Sequence, residues 1–247
     1  MKKTIVLFLI SLFTLQSCSI NTEVIYHKDT ATSMITDVDT REFMAEMQAM
    51  TPDSLKQEKF NELDRFPTVW TSMHDILKKE GKLKTENQDT LRMLKKVFLK
   101  STKDGNNPIP AGFSFKMDHF TPHDYEIIKN FNKDEKLPFD QNLLNTWDGK
   151  TLTINTDFFN LNNIEEVLRS QGSKEETEKM EGMMMMFFKN IGTTLKFESK
   201  IKSITGKHDW LKQVDDYSVR IEYDLKALNN KDSKFKNADR KIIIITE

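Results

Sequence analysis

Few residues in this chain have the type and spacing to do chemistry. The densest group is Asp118-His119-Phe120-Thr121-Pro122-His123-Asp124, with four candidate ligands or proton carriers in seven residues. Imidazole together with carboxylate suits zinc. Pro122, however, interrupts the segment and puts His119 at a strand end and His123 in the first turn of a helix. Neither the i, i+4 pairing of helical ligands nor an H-E-x-x-H pattern results. His119 and His123 are therefore weak metal candidates, and no metal or other cofactor is expected. His208-Asp209 could orient a base, but no serine stands in the glycine context of a nucleophile elbow. Glycine-rich phosphate loops are absent as well, so no catalytic residue is nominated.

The most unusual stretch is KMEGMMMMFFKN, residues 179–190. On a helix, Met180, Met183, Met184 and Phe187 share one face, and Met185, Met186 and Phe188 spread apolar surface around the rest. Methionine fills irregular gaps, suits adaptable binding surfaces and offers soft thioethers to Cu(I). The stretch reads as core packing, with Gly182 admitting a close neighbour, or as an apolar binding surface at Met180, Met183, Met184, Met185 and Phe187. The last chemically distinctive residue is Cys18, the single cysteine of 247 residues. It excludes an intrachain disulfide framework.

Cys18 follows Met1-Lys2-Lys3, an apolar run over residues 4–15 and Gln16-Ser17. A basic start, an apolar core of about a dozen residues and small residues before a cut describe a secretory signal, too short for a bilayer span of ~20 residues. The four residues Leu15-Gln16-Ser17-Cys18 resemble a bacterial lipobox, in which the cysteine thiol is alkylated with diacylglycerol and the signal is removed just before it. Cysteine is needed there because a thiolate attacks the lipid donor where a serine hydroxyl does not. Residues 1–17 then form a cleaved signal peptide, and Cys18 becomes the lipidated first residue of the mature chain. Two or three acyl chains hold a protein in a membrane stably, where one does not. Ser19 lacks the aspartate that retains many such proteins at the inner membrane, and residues 19–23 carry one acid rather than an acidic export run. The location expected is the outer membrane, facing the periplasm.

Without Lys2 and Lys3, the 37 basic residues become 35 against 38 acidic, a surface of mixed sign near −3. That balance lacks the footprint of a nucleic-acid partner. Lys95-Lys96 and Lys200-Ile201-Lys202 read as solvated faces.

The elements follow from periodicity. Residues 22–39 alternate on either side of a break at Lys28-Asp29, as a β-hairpin does. Asp39-Thr40-Arg41-Glu42 reads as a capping box for a helix through Phe43, Met47 and Met50, and Thr51-Pro52 starts another. Phe66, Trp70, Met73 and Leu77 form an apolar stripe ending at Gly81; Leu91, Leu94 and Phe98 form a second. Residues 101–112, rich in Gly, Asn and Pro, read as a loop and a possible subdomain boundary. Phe113, Phe115 and Met117 alternate as a strand, and Thr121-Pro122 caps a short helix. Asp148-Gly149 marks a hairpin turn, Ser173-Lys174-Glu175-Glu176 a capping box for a helix to about Asn190, and the chain after Gly192 a series of strands.

The lipobox, the segment TEVIYHKDTATSMITDVDTREFM, the Met-rich middle and the closing strands together resemble a family of uncharacterised cell-envelope lipoproteins of the Bacteroidota. The resemblance implies an envelope location and no particular activity. The expected fold of residues 18–247 is one α+β domain: an antiparallel sheet from the N-terminal hairpin and the C-terminal strands, with helices packed on one face. The expected function is a non-enzymatic binding or structural module for a hydrophobic ligand or an envelope protein partner, held to the membrane through Cys18. The alternative is a hydrolase acting on envelope polymers through dispersed carboxylates.

Overall fold

The computed structural model describes residues 18–42, 44–45, 66–103, 105, 110–131, 145–156, 188–223 and 235–247. The helix read from Thr51-Pro52, the capping box at Ser173 and the Met-rich residues 179–187 lie outside the described residues.

The first strand, β1 (Cys18–Tyr26), turns back into β2 (Thr32–Asp39) as the expected hairpin, with Val24 opposite Met34. Alternation decides which side is covered: Thr22, Val24 and Tyr26 are buried beside Thr32, Met34 and Thr36. The turn has no glycine, and Thr30 takes the positive φ of 72° instead. The Asp29 carboxylate supports it by accepting the Ala31 N–H at 3.2 Å.

This hairpin lies inside an eight-stranded sheet that also contains β3 (Thr71–Ser72), β4 (Val97–Lys103), β5 (Pro110–Phe120), β8 (Phe188–Phe197), β10 (Leu211–Asp215) and β11 (Ser218–Tyr223). The order is β10-β11-β8-β1-β2-β5-β4-β3, antiparallel throughout except for the parallel pair β1 and β8. A second, four-stranded antiparallel sheet has the order β6-β7-β12-β9, from β6 (Asn145–Trp147), β7 (Thr151–Asn155), β12 (Lys241–Thr246) and β9 (Ile201–Thr205). The fold is α+β but mainly β, and it corrects the expectation of one antiparallel sheet. The hairpin meets the C-terminal half through a parallel pairing, and the closing isoleucine strand belongs to the other sheet. Period-2 patterning is the same for either strand direction and either sheet, so it could not distinguish them.

The two sheets share one core. Tyr26, Leu195, Phe197, Val219 and Ile221 from the first meet Leu152, Ile154, Ile242 and Ile244 from the second, each large side chain contributing about 1.5–3 kcal/mol. Tyr26 stacks on Phe197 with centroids 5.4 Å apart and tilts against Trp147 at the same distance. The hairpin turn expected at Asp148-Gly149 joins β6 to β7; Gly149 has φ 93° and lies so close to the Lys28 carbonyl that a Cβ would collide with it.

Three helices have described bounds, α1 (Met73–Lys79), α2 (Gln88–Lys96) and α3 (Pro122–Phe131), and residues 41–42 and 44–45 are also helical. Ser72 caps α1 and Asn87 caps α2 with side-chain oxygens that accept first-turn N–H groups. The cap at Ser72 excludes Trp70 from α1, and the stripe expected through Phe66 and Trp70 is not helical. Phe98 likewise leaves the second stripe, because the extended backbone at Val97 ends α2 and starts β4. Ser101 and Gly112, expected in a loop, are strand residues of β4 and β5, which pair with each other. Phe188 is also in a strand, not in the expected helix. Helices α2 and α3 lie against β5, and Met93 and Tyr125 pack on the shared core.

Candidate functional site

The parallel pairing of β1 with β8 has a local result. Tyr26 is in register with Phe197, and the ladder continues where the Glu198 N–H donates to the Tyr26 carbonyl at 3.3 Å. Residues 171 positions apart are thereby brought together: Glu198 Oε1 lies 2.7 Å from His27 Nδ1. The second carboxylate oxygen accepts the Lys28 N–H at 2.9 Å, which fixes the carboxylate against the ring. On the far side of the imidazole, Nε2 lies 2.9 Å from Ser33 Oγ on β2. A carboxylate only accepts, so in the neutral ring Nδ1 carries the proton and Nε2 is left to accept from the serine hydroxyl.

A second imidazole completes the cluster. The β2–β5 register shifts between Thr32 and Met34, leaving an extra residue on β5 opposite Ser33. His119 occupies that irregularity with φ 50°, a sparsely populated region for a non-glycine residue. Its N–H donates to Ser33 Oγ at 2.9 Å, its Nε2 lies 2.8 Å from Asp29 Oδ2, and its ring centroid is 4.8 Å from that of His27. The Lys96 ammonium donates to the His119 carbonyl at 2.9 Å and to Asp124 Oδ2 at 2.8 Å, so the distorted residue is held from behind.

The charges are balanced locally. Hydrogen bonds from His27 and from the Lys28 N–H hold the Glu198 carboxyl below its ordinary range; the Ala31 N–H, then His119, do the same for Asp29. Burial alone would raise the Asp124 carboxyl, but the Lys96 ammonium and the Thr121 N–H and hydroxyl overcome it and hold the group at about 2. Lys96, read from sequence as part of a solvated face, is therefore half of a largely buried ion pair. The side chain of His27 is only 17% exposed, against 49% for His119, so the inner ring is sheltered and the outer ring meets solvent.

The structure redistributes the residues singled out in the sequence. His119 joins His27, Ser33, Asp29 and Glu198, whereas His123 is exposed on α3 and is no part of the cluster. Among the described residues no group of three or more His, Cys, Asp or Glu is arranged to hold a metal ion. His208 and Asp209 do not form a base and its orienter. His208 is buried against Trp210 and Phe235 and accepts the Trp210 N–H, while Asp209 turns away to accept the N–H groups of Lys236 and Asn237. Cys18 opens β1 beside Phe188 and is buried at 1% exposure. Met180, Met183, Met184, Met185 and Phe187 lie outside the described residues.

Sequence reading missed His27, Ser33 and Glu198. The contact depends on the β1–β8 pairing, and no local spacing encodes it. The nearest signal was the position of His27, beside the hairpin break and on the polar side of the alternation.

No protein-family model matches the chain, and none of the curated proteins matches it. Among solved structures, the folded domain of the Mycobacterium tuberculosis protein LppM, determined by NMR, is similar over 94% of this chain and 92% of that one, with a TM-score of 0.37 and 7% sequence identity. A likeness at that level transfers neither fold nor function.

Proposed function

We propose that the chain is a lipoprotein of the bacterial cell envelope, held in the membrane by acyl chains on Cys18, most simply in the outer membrane facing the periplasm, with its domain binding a hydrophobic ligand or a protein partner there. The observation that carries this reading is the box Leu15-Gln16-Ser17-Cys18 behind a basic start and a short apolar run. The binding role rests on the Met-rich sequence 179–187, which read as a helix would carry more apolar surface than one face buries.

Metabolic labelling with a clickable palmitate is expected to mark the wild type and spare Cys18→Ala. Equal label on both would remove the anchoring. Mass spectrometry of lipids and proteins co-purifying with the detergent-extracted wild type tests the binding role, which is lost if nothing is retained. The hydrogen-bonded chain from Glu198 through His27 to Ser33 favours a second reading, in which the same domain also carries a reaction.

A further inference from the structure

We propose that Ser33, His27 and Glu198 form an acyl-transfer site that hydrolyses carboxylic esters with apolar acyl groups. Three features carry this beyond the anchoring reading, and none depends on lipid at Cys18. The three side chains form one continuous hydrogen-bonded chain, 2.7 Å from Glu198 to His27 Nδ1 and 2.9 Å from His27 Nε2 to Ser33 Oγ. Two of the three are fixed from outside the chain: Glu198 by the Lys28 N–H and Ser33 by the His119 N–H, with the His119 carbonyl held in turn by Lys96. Finally, Ser33 stands on the face of the large sheet that carries half-buried Ile25, its cross-strand partner, and Ile35, two residues on. An acyl chain leaving Ser33 along β2 meets these two isoleucines.

The geometry assigns each group a task. Ser33 and His27 are the catalytic residues. His27, its Nδ1–H donating a hydrogen bond to the Glu198 carboxylate, takes the Ser33 hydroxyl proton on Nε2 as Oγ adds to the ester carbonyl carbon and the C=O pair moves onto oxygen. The serine oxygen has two lone pairs, and the His119 N–H occupies one, which leaves the other to attack. Collapse of the adduct expels the alcohol, which takes its proton from the His27 imidazolium, and leaves acyl-Ser33. Water then adds to the acyl carbon and gives a proton to Nε2. Collapse of this second adduct returns that proton to Oγ and releases the carboxylic acid. Water is the only co-reactant. Glu198 is a positioning residue, fixing the tautomer of His27 and stabilising its cation without touching substrate.

The test uses the full-length lipoprotein extracted in detergent. A fluorophosphonate probe followed by peptide mapping is expected to place the adduct on Ser33, and p-nitrophenyl butyrate is expected to be hydrolysed. His27→Gln should cut both labelling and hydrolysis by about 10²-fold or more. Glu198→Gln should move the pH profile of hydrolysis as well as lower its rate, a change that loss of structure alone would not produce. Mapping of the wild type requires no variant to fold, so an unlabelled Ser33, or an adduct unaffected by His27→Gln in protein with native circular dichroism, would overturn the proposal.

Discussion

Two histidine corners of this molecule contain the same kinds of side chain and work in opposite ways. At His208 the neighbouring carboxylate is next in sequence, yet it faces other partners, and the ring is enclosed by Trp210 and Phe235 with centroids 5.3 and 5.2 Å away. Burial lowers the affinity of that ring for a proton. At His27 the carboxylate comes from the turn after β8, and both ring nitrogens have polar partners. Adjacency in sequence produced a packing residue; adjacency across a parallel strand pair produced a proton relay. The carboxylate that matters is the one the sheet delivers, and the enclosure around the ring decides whether the histidine is structural or chemical.

The contrast breaks if the enclosed corner contributes little to stability. Trp210 is 6% exposed and contacts His208, Tyr223 and Phe235, so Trp210→Ala should cost about 3–5 kcal/mol in a denaturant titration. A cost below about 1 kcal/mol would mean that the aromatic enclosure is not part of the core. The next effect tests the buried support behind the open cluster. The folded-state value of Asp124 is about 2, below the unfolded value, so the native state binds fewer protons. Its contribution, about 2 kcal/mol, is complete above pH ~4 and disappears as the pH falls through 2. Stability measured from pH 5 to 2 should fall more steeply in the wild type than in Asp124→Asn; parallel curves would show that the Lys96 pair is not coupled to folding. The smallest effect is expected in the open cluster itself. Glu198 is 43% exposed, so Glu198→Gln should change stability by less than about 1 kcal/mol, within the range of surface pairs. A loss as large as that at Trp210 would make the cluster structural and erase the difference between the two corners.

Legibility in the sequence followed the range of the interactions. The hairpin of β1 and β2, the Asp148-Gly149 turn and the proline start of α3 are set by alternation or by one or two turn residues, and each stands where the sequence puts it. The helical stripes ending in Phe98 or beginning at Phe66 failed because an apolar residue at helical spacing suits a strand equally well once a cap shortens the helix. Separation into two sheets was hidden for a related reason: Ile242 to Ile245 satisfy any strand, and only tertiary partners decide which. The candidate site was the least legible. His119 was visible as a histidine, but its partners Asp29, Ser33 and His27 lie some 90 residues earlier, and the left-handed backbone that aims its N–H at Ser33 has no glycine to announce it.

Cys18 is the first residue of an interior strand, the fourth of eight, and Tyr26 is that strand's last. A lipid there would attach the bilayer directly to the middle of a sheet end. At ~3.3 Å per residue, β1 would then act as a spacer that places His27 roughly 30 Å from that lipid. That span is several Debye lengths at physiological ionic strength, ~8 Å each, so with the strand upright the headgroup charge of the membrane is screened from the imidazoles. Molecules would reach the two rings from the aqueous side without first entering the lipid.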